Sequence, residues 1–358
     1  MRTHCVICNT ILTEHIFTFK GYPICASPTD DSTTDEFTDI VFVGCKGCGC
    51  VQLESPICAK KLYENSHNST QHSAIWMEHH RQFSQFIMSE TGETCFTEIG
   101  GNSGVLYSHI EPLRKIDYTI FDICDSPKRP TKVKFLQGNC EDKAFTQGAI
   151  IMSHTFEHLY QPRKFLERQM RPIFLSIPNM DILYERKNIG VLHTEHTYFI
   201  GYTEAISLFS EFGYTCLTCR RFNDHSYFFH FKKENSINPY VPNDARLTMM
   251  RSIFEDGEAA LSSIVIDRPC FICPAGLYGQ RIHYYLKQYS QYINGFIDND
   301  PLKQGKKLYG TGIMVYAPST LSKYSSSQIS VILYAGPYTK EIQEDLNRFH
   351  SNIQYISL

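Results

Sequence analysis

The sequence predicts an α/β fold in which two Rossmann-like units follow a small cysteine-rich module. Three observations predict it. Short apolar segments alternate with helical stretches between residues 93 and 235 and again between 267 and 358, the pattern that builds parallel sheets. A strand ending in an acid runs directly into glycines at Glu98-Ile99-Gly100-Gly101-Asn102-Ser103-Gly104. Four cysteines stand in two CxxC pairs, Cys5 with Cys8 and Cys45 with Cys48.

At 358 residues the chain exceeds one average domain. Its hydrophobic fraction of 42%, charged fraction of 20% and formal charge of -3 are those of an ordinary globular protein. They argue against a general attraction to nucleic acid or anionic membranes. No apolar run approaches the ~20 residues of a membrane span, and no signal-peptide core follows Met1. The chain is therefore expected to be soluble and cytoplasmic, without nucleic-acid or membrane partners, and to keep its thiols reduced.

In that setting fourteen cysteines suggest metal before disulfides. Residues 1–60 read as a small β module stapled by one structural zinc on Cys5, Cys8, Cys45 and Cys48. Asn9 and Gly49 follow the pairs and tolerate the left-handed turn of a thiolate knuckle. Four thiolates would close the coordination shell and leave no position for water. His4, Cys25, Cys50 and Cys58 lack a partner at knuckle spacing, and the polar run Thr29 to Glu36 reads as a loop. Cys216 with Cys219, and Cys270 with Cys273, fall in strand-like sequence, where residues three apart face opposite sides and share no metal.

Residues 61–92 read as a helical linker, because Ile75, Trp76, His79, Phe83 and Phe86 recur at three- and four-residue intervals. The central unit, 93–235, opens with the strand closing at Glu98, its glycine turn and a helix from Val105 to Ile110. Further strands follow at Ile116 to Asp122, Phe135 to Asn139, Gly148 to His154 and Phe174 to Asn179, with an amphipathic segment from Arg163 to Met170. Gly100, Gly101 and Gly104 would let the backbone approach a ligand, although their spacing departs from GxGxxG. Asp122 lies about 20 residues beyond the loop, where a carboxylate reaches ribose hydroxyls.

Residues 236–266 form a helical connector, with a boundary at Asn235 to Asp244 and a helix from Leu247 to Leu261. The last unit, 267–358, has strands at Cys270 to Cys273, Ile293 to Asp298 and Ile329 to Ala335. Its Gly276 and Gly279 suit nucleotide contact and a plain strand-to-helix turn equally well.

The acid before the glycines and the acid closing the second strand resemble the class I methyltransferases that use S-adenosylmethionine (SAM). A nicotinamide reading would need a hydride-transfer residue set, and none is evident. On this resemblance SAM is held by Glu98, Gly100, Gly101, Asn102, Gly104, Asp122 and His154. Over nearly the whole chain, three stretches stand in the order of the sugar C-methyltransferase family. They are the cysteine module leading into Val51-Gln52-Leu53, the SAM loop, and the segment Gly295 to Gly305. Members of that family methylate a carbon of a nucleotide-linked deoxy-keto sugar.

The segment His193-Thr194-Glu195-His196-Thr197-Tyr198-Phe199 resembles the family's Tyr-His-Glu-His catalytic stretch, with His193 in place of the tyrosine. The resemblance implies His196 as general base, a role suited to imidazole, with Glu195 and His193 beside it. It places the acceptor at His67, Asn68, His79, Tyr198 and His225. Tyr63-Glu64-Asn65 stands where the family has Tyr-x-Tyr, and Asp224-His225-Ser226 where it has Gly-Gly-Ser. Methylation of a sugar oxygen by the same architecture, and SAM binding without catalysis, stay open beside carbon methylation.

Overall fold

The computed structural model describes residues 1–63, 74–187, 194–234, 245–324, 328–335 and 339–357. His67, Asn68, His193 and the Asn235 to Asp244 boundary lie outside the described residues. The N-terminal part supplies β1 (Glu14–Pro23), β2 (Pro28–Thr29), β3 (Phe37–Gly44), β4 (Val51–Leu53) and α1 (Ala59–Tyr63), followed by α2 (Ala74–Glu90). The central part runs β5 (Cys95–Ile99), α3 (Val105–Ile110), β6 (Asp117–Asp122), β7 (Lys134–Gln137), β8 (Ala149–Ser153), α4 (Pro162–Arg168) and β9 (Ile173–Pro178). It continues with α5 (Met180–Glu185), β10 (Tyr198–Phe199), α6 (Tyr202–Glu211), β11 (Tyr214–Phe222) and β12 (Ser226–Lys233). After α7 (Ala245–Ser262) come β13 (Cys270–Cys273), α8 (Leu277–Tyr285), β14 (Ile293–Ile297), β15 (Lys307–Leu308), β16 (Val315–Tyr316), β17 (Ile329–Leu333), α9 (Thr339–Asn347) and β18 (Ile353–Ser357).

The central sheet has the order β11-β12-β9-β8-β5-β6-β7. Strands β5 to β9 are parallel, whereas β12 runs antiparallel to both β9 and β11. That antiparallel hairpin departs from the six-stranded dinucleotide order 3-2-1-4-5-6. Ala149, Ile150, Ile151 and Met152 of β8 are all buried, as a strand covered on both faces requires. Phe83, Phe86 and Ile87 of α2 close one face against Phe174 and Phe228. Burying each such side chain contributes about 1.5–3 kcal/mol. The chain builds β5, β6 and β7 toward one edge, then returns to build β8 and β9 toward the other, so the strand order reverses between β5 and β8. A crevice outside the strand carboxyl ends opens at such a reversal.

A second sheet, β16-β14-β13-β17-β18, is parallel throughout and reverses between β13 and β17. The N-terminal sheet has the order β1-β3-β4-β10, so its last strand comes from the central part. Strand β15 pairs with β2 and joins the C-terminal part to the N-terminal one. Arg246 of α7, almost fully buried, pairs with Glu204 of α6 and Asp181 of α5 and locks the connector helix to the central part. A β-bulge between Cys216 and Thr218 corrects one sequence expectation: Cys216 and Cys219 both pack against one core cluster. Cys270 and Cys273 divide between opposite clusters, as strand periodicity requires. Among the described residues no helix is long and apolar enough to cross a membrane.

Candidate functional site

The acid-glycine loop lies at the reversal point. Gly100 and Gly104 both have φ near +74°, and Asn102 has φ of 42°. A Cβ on Gly100 would fall 2.5 Å from Thr155 Oγ1, and one on Gly101 would fall 2.5 Å from Glu98 Oε2. Left-handed backbone and lack of space thus require glycine at Gly100, and lack of space alone requires it at Gly101. Asp122, closing β6, accepts hydrogen bonds from Asn102 N at 3.1 Å and Cys124 N at 3.2 Å. Burial raises its carboxyl above the ordinary value. A carboxylate has about four acceptor positions, so Asp122 keeps capacity for ribose hydroxyls. Glu98 sits differently from the expected cofactor contact. It is buried beside Gly101, accepts from Tyr118 Oη at 2.9 Å and is raised to about 7 by burial. It braces the loop from within the core.

The next strand, β8, ends in a turn that gathers ionisable groups. His154 takes φ of 49°, and its Nδ1 lies 3.4 Å from Glu157 Oε1. Glu157 is 2% exposed, its carboxyl is raised to about 7 by burial, and neither oxygen finds a hydrogen-bond partner among the described residues. His196 approaches the same carboxylate from another segment, with Nε2 4.0 Å from Glu157 Oε1. His158 stands edge-on to His196 at 4.9 Å between ring centres, and its Nδ1 meets Tyr63 Oη at 2.7 Å. Burial raises the Glu195 carboxyl.

Backbone contacts hold His196 in place. Thr197 N donates to Glu157 O at 3.0 Å, Leu53 N donates to Thr197 O at 3.0 Å, and Arg2 donates to Thr197 O and Tyr160 O at 2.5 and 2.8 Å. Tyr198 is fully buried and donates its hydroxyl to Phe156 O at 2.5 Å. It packs in the core and does not face an acceptor. His79, His154 and His225 come together from α2, the β8 turn and the β11–β12 turn. Sequence reasoning placed cofactor contacts along His154 to His158 and noted Tyr63 at the Tyr-x-Tyr position, but gave Tyr63, Glu157 and His158 no part beside His196. The one signal for them was their position, just before the helical linker or just past the fourth strand.

The four cysteines converge. Cys5, Cys8, Cys45 and Cys48 place their sulfurs within 4.8 Å of one another, with 3.5 Å from Cys5 to Cys48 and 3.4 Å from Cys8 to Cys45. Each pair closes a knuckle: Asn9 N donates to Cys5 O and Gly49 N to Cys45 O, with φ of 60° at Asn9 and 73° at Gly49. Hydrogen bonding from Cys45 pulls the Cys5 thiol far below its ordinary value, and hydrogen bonding among the four, first from Cys45, pushes Cys48 far above its own. Four sulfurs gathered this closely are a donor set compatible with a tetrahedral zinc ion.

No family model matches the chain, and no curated protein matches it. Among solved structures it is similar to the 1,6-didemethyltoxoflavin-N1-methyltransferase of Burkholderia thailandensis with bound S-adenosylhomocysteine. That likeness has 12% identity and a TM-score of 0.41, over 58% of this chain and 100% of the other. It is also similar to the PH0226 protein of Pyrococcus horikoshii, at 10% identity and a TM-score of 0.37 over 49% and 98%. The N-methyltransferase NodS of Bradyrhizobium japonicum gives 14% identity and a TM-score of 0.36 over 47% and 93%. Likenesses this distant decide nothing about the chemistry of this chain, which rests on its own residues.

Proposed function

We propose that the chain is a SAM-dependent methyltransferase that adds a methyl group to a carbon of a nucleotide-linked deoxy-keto sugar. One observation carries the reading: the cramped acid-glycine loop and Asp122 lie at the carboxyl ends of β5 and β6, where Gly100 abuts Thr155 of the β8 turn that carries Glu157 and His158, with His196 clustered beside them. Gly100, Gly101, Asn102 and Gly104 would lie against the cofactor, and Asp122 would hold its ribose. When bound, SAM supplies an electrophilic methyl group.

The protein would do the proton chemistry. His196 would take the proton from the carbon beside the ketone, and the electron pair left there would form the new carbon-carbon bond as the methyl group's bond to the sulfur of SAM breaks and S-adenosylhomocysteine leaves. Glu157, 4.0 Å away, offsets the positive charge that the imidazole then carries. Zinc on Cys5, Cys8, Cys45 and Cys48 is structural in this reading, since the thiolates fill its shell. The parallel C-terminal sheet is read as a second Rossmann-like unit.

Calorimetry with S-adenosylhomocysteine tests the first half. Binding to the wild-type chain, lost on combining Gly101→Val with Asp122→Ala, is the expected result. Undiminished binding in that variant would remove the cofactor from this loop. The second half is tested by mass spectrometry after incubation with SAM and a panel of nucleotide-linked sugars, together with deuterium exchange beside the ketone. His196→Asn should bind S-adenosylhomocysteine normally and turn over about 100- to 10,000-fold more slowly. Methylation without deuterium exchange would instead favour oxygen as the methylated atom.

A further inference from the structure

We infer that His79, His154 and His225 form a second metal site, for a divalent transition ion of the zinc class, separate from the four cysteines. The inference does not rest on the methyltransferase reading. One nitrogen from each of the three histidines lies within 4.8 Å of the others. Their ring centres stand 5.1, 5.4 and 5.4 Å apart. Three imidazoles at tetrahedral angles around zinc, with bonds of about 2.0–2.1 Å, place their ring centres roughly 5 Å apart.

The hydrogen bonds around the rings point the same way. His79 is fully buried; its Nε2 meets Ser176 Oγ at 2.8 Å, while its Nδ1 is buried with no hydrogen-bond partner among the described residues. A buried imidazole nitrogen without a partner costs stability unless something takes its lone pair. His154 Nε2 and His225 Nδ1 both converge on Ser226 Oγ, at 2.8 and 2.5 Å. The hydroxyl has one proton and two lone pairs, so it can donate to one ring and accept an N–H from the other. A metal ion would accept lone pairs from both.

The surroundings are those of a metal ligand set. Glu157 Oε1, 3.4 Å from His154 Nδ1, occupies the place of the outer carboxylate that orients a metal-bound imidazole. Trp76 stands edge-on to His154 and His225 at 4.7 Å and to His79 at 5.1 Å, giving the site an apolar wall. Three imidazoles leave a fourth position open, which suits water or an oxygen of a bound acceptor, so the site is of the open kind.

The test is cobalt substitution in the full chain. Thiolate-bound Co2+ shows near-ultraviolet charge transfer, whereas Co2+ held by imidazoles shows only visible ligand-field bands. We expect a second equivalent of Co2+ without thiolate bands in the wild-type chain. It should be lost in His154→Ala combined with His225→Ala, with circular dichroism and the thiolate band retained. His225→Asn alone, in the β11–β12 turn, should weaken the second equivalent at least tenfold and serves if the double variant fails to fold. A wild-type chain that binds no Co2+ outside the thiolates, or a second equivalent unchanged in His225→Asn, overturns the inference.

Discussion

The central and C-terminal sheets end their second strands on the same device and then use it differently. Asp122, at the end of β6, accepts a backbone N–H from the loop after β5; Asp298, just past β14, accepts one from Ala275 after β13, each at 3.1 Å. Asp298 also accepts from Lys303 Nζ at 2.8 Å and from Asp300 N at 3.0 Å, and is 6% exposed. Among the described residues no basic side chain pairs with Asp122, which accepts from backbone N–H groups. One carboxylate is paired with a lysine, and the other is held only by backbone N–H groups. A shared strand-loop-strand plan therefore does not by itself make a ligand site, because what remains unspent on the acid decides.

The sharpest way to break this comparison is Asp298→Ala. It leaves Lys303, whose side chain is 15% exposed, without its partner. Removing one member of such a buried pair costs about 3–5 kcal/mol, which should lower the melting temperature while S-adenosylhomocysteine binding below it stays unchanged. Asp122→Ala should do the reverse. Its melting temperature should hold, and affinity measured by calorimetry should fall by about 1.5–3 kcal/mol, the range for hydrogen bonds to a charged group. Equal effects of the two variants on affinity would end the distinction.

A smaller contrast lies in the glycines. Gly100→Ala forces a side chain into left-handed backbone against Thr155, a conformational cost of about 1–2 kcal/mol before any clash. Gly276→Ala meets nothing within 4 Å and sits on extended backbone, so its unfolding free energy should stay within about 0.5 kcal/mol of wild type. A further contrast lies in pH dependence. Glu98 and Glu157, both raised from 4.5 to about 7 by burial, keep a proton in the folded chain where the unfolded chain has released it. Their contribution is full below about 4.5 and is lost as pH rises through about 7. Melting curves across that window should show a decline that Glu98→Gln makes shallower, with Glu157 and the other buried carboxyls, Asp122, Glu195 and Glu204, contributing the remainder.

Much of the site could be read from local sequence because it is locally determined. The glycines, Asp122 and the two CxxC pairs announce themselves by spacing, and the strands carrying them fall within a few residues of expectation. The rest depends on topology. Glu157 is legible only as part of the stretch after the fourth strand, and it is the return of the chain at β8 that buries it between His154 and His196. Tyr198 carries the aromatic signature of an acceptor contact, yet pairing with Gln52 turns it into the core. The same-side placement of Cys216 and Cys219 comes from a bulge, which strict two-residue periodicity does not encode.

The pairing of β10 with β4 has a consequence for how the molecule is assembled. Tyr198 and Phe199 find their partners in Gln52 and Val51, with the first five strands of the central sheet lying between them in the chain. Closing so long a loop is entropically expensive and slow compared with forming neighbouring strands. The crevice around the glycine loop can take shape from contacts within the central part, whereas His196 reaches its place only when the cysteine module is folded and docked. Reactivity would thus be the last property the chain acquires, and unfolding of a module at the opposite end of the sequence would be enough to withdraw it.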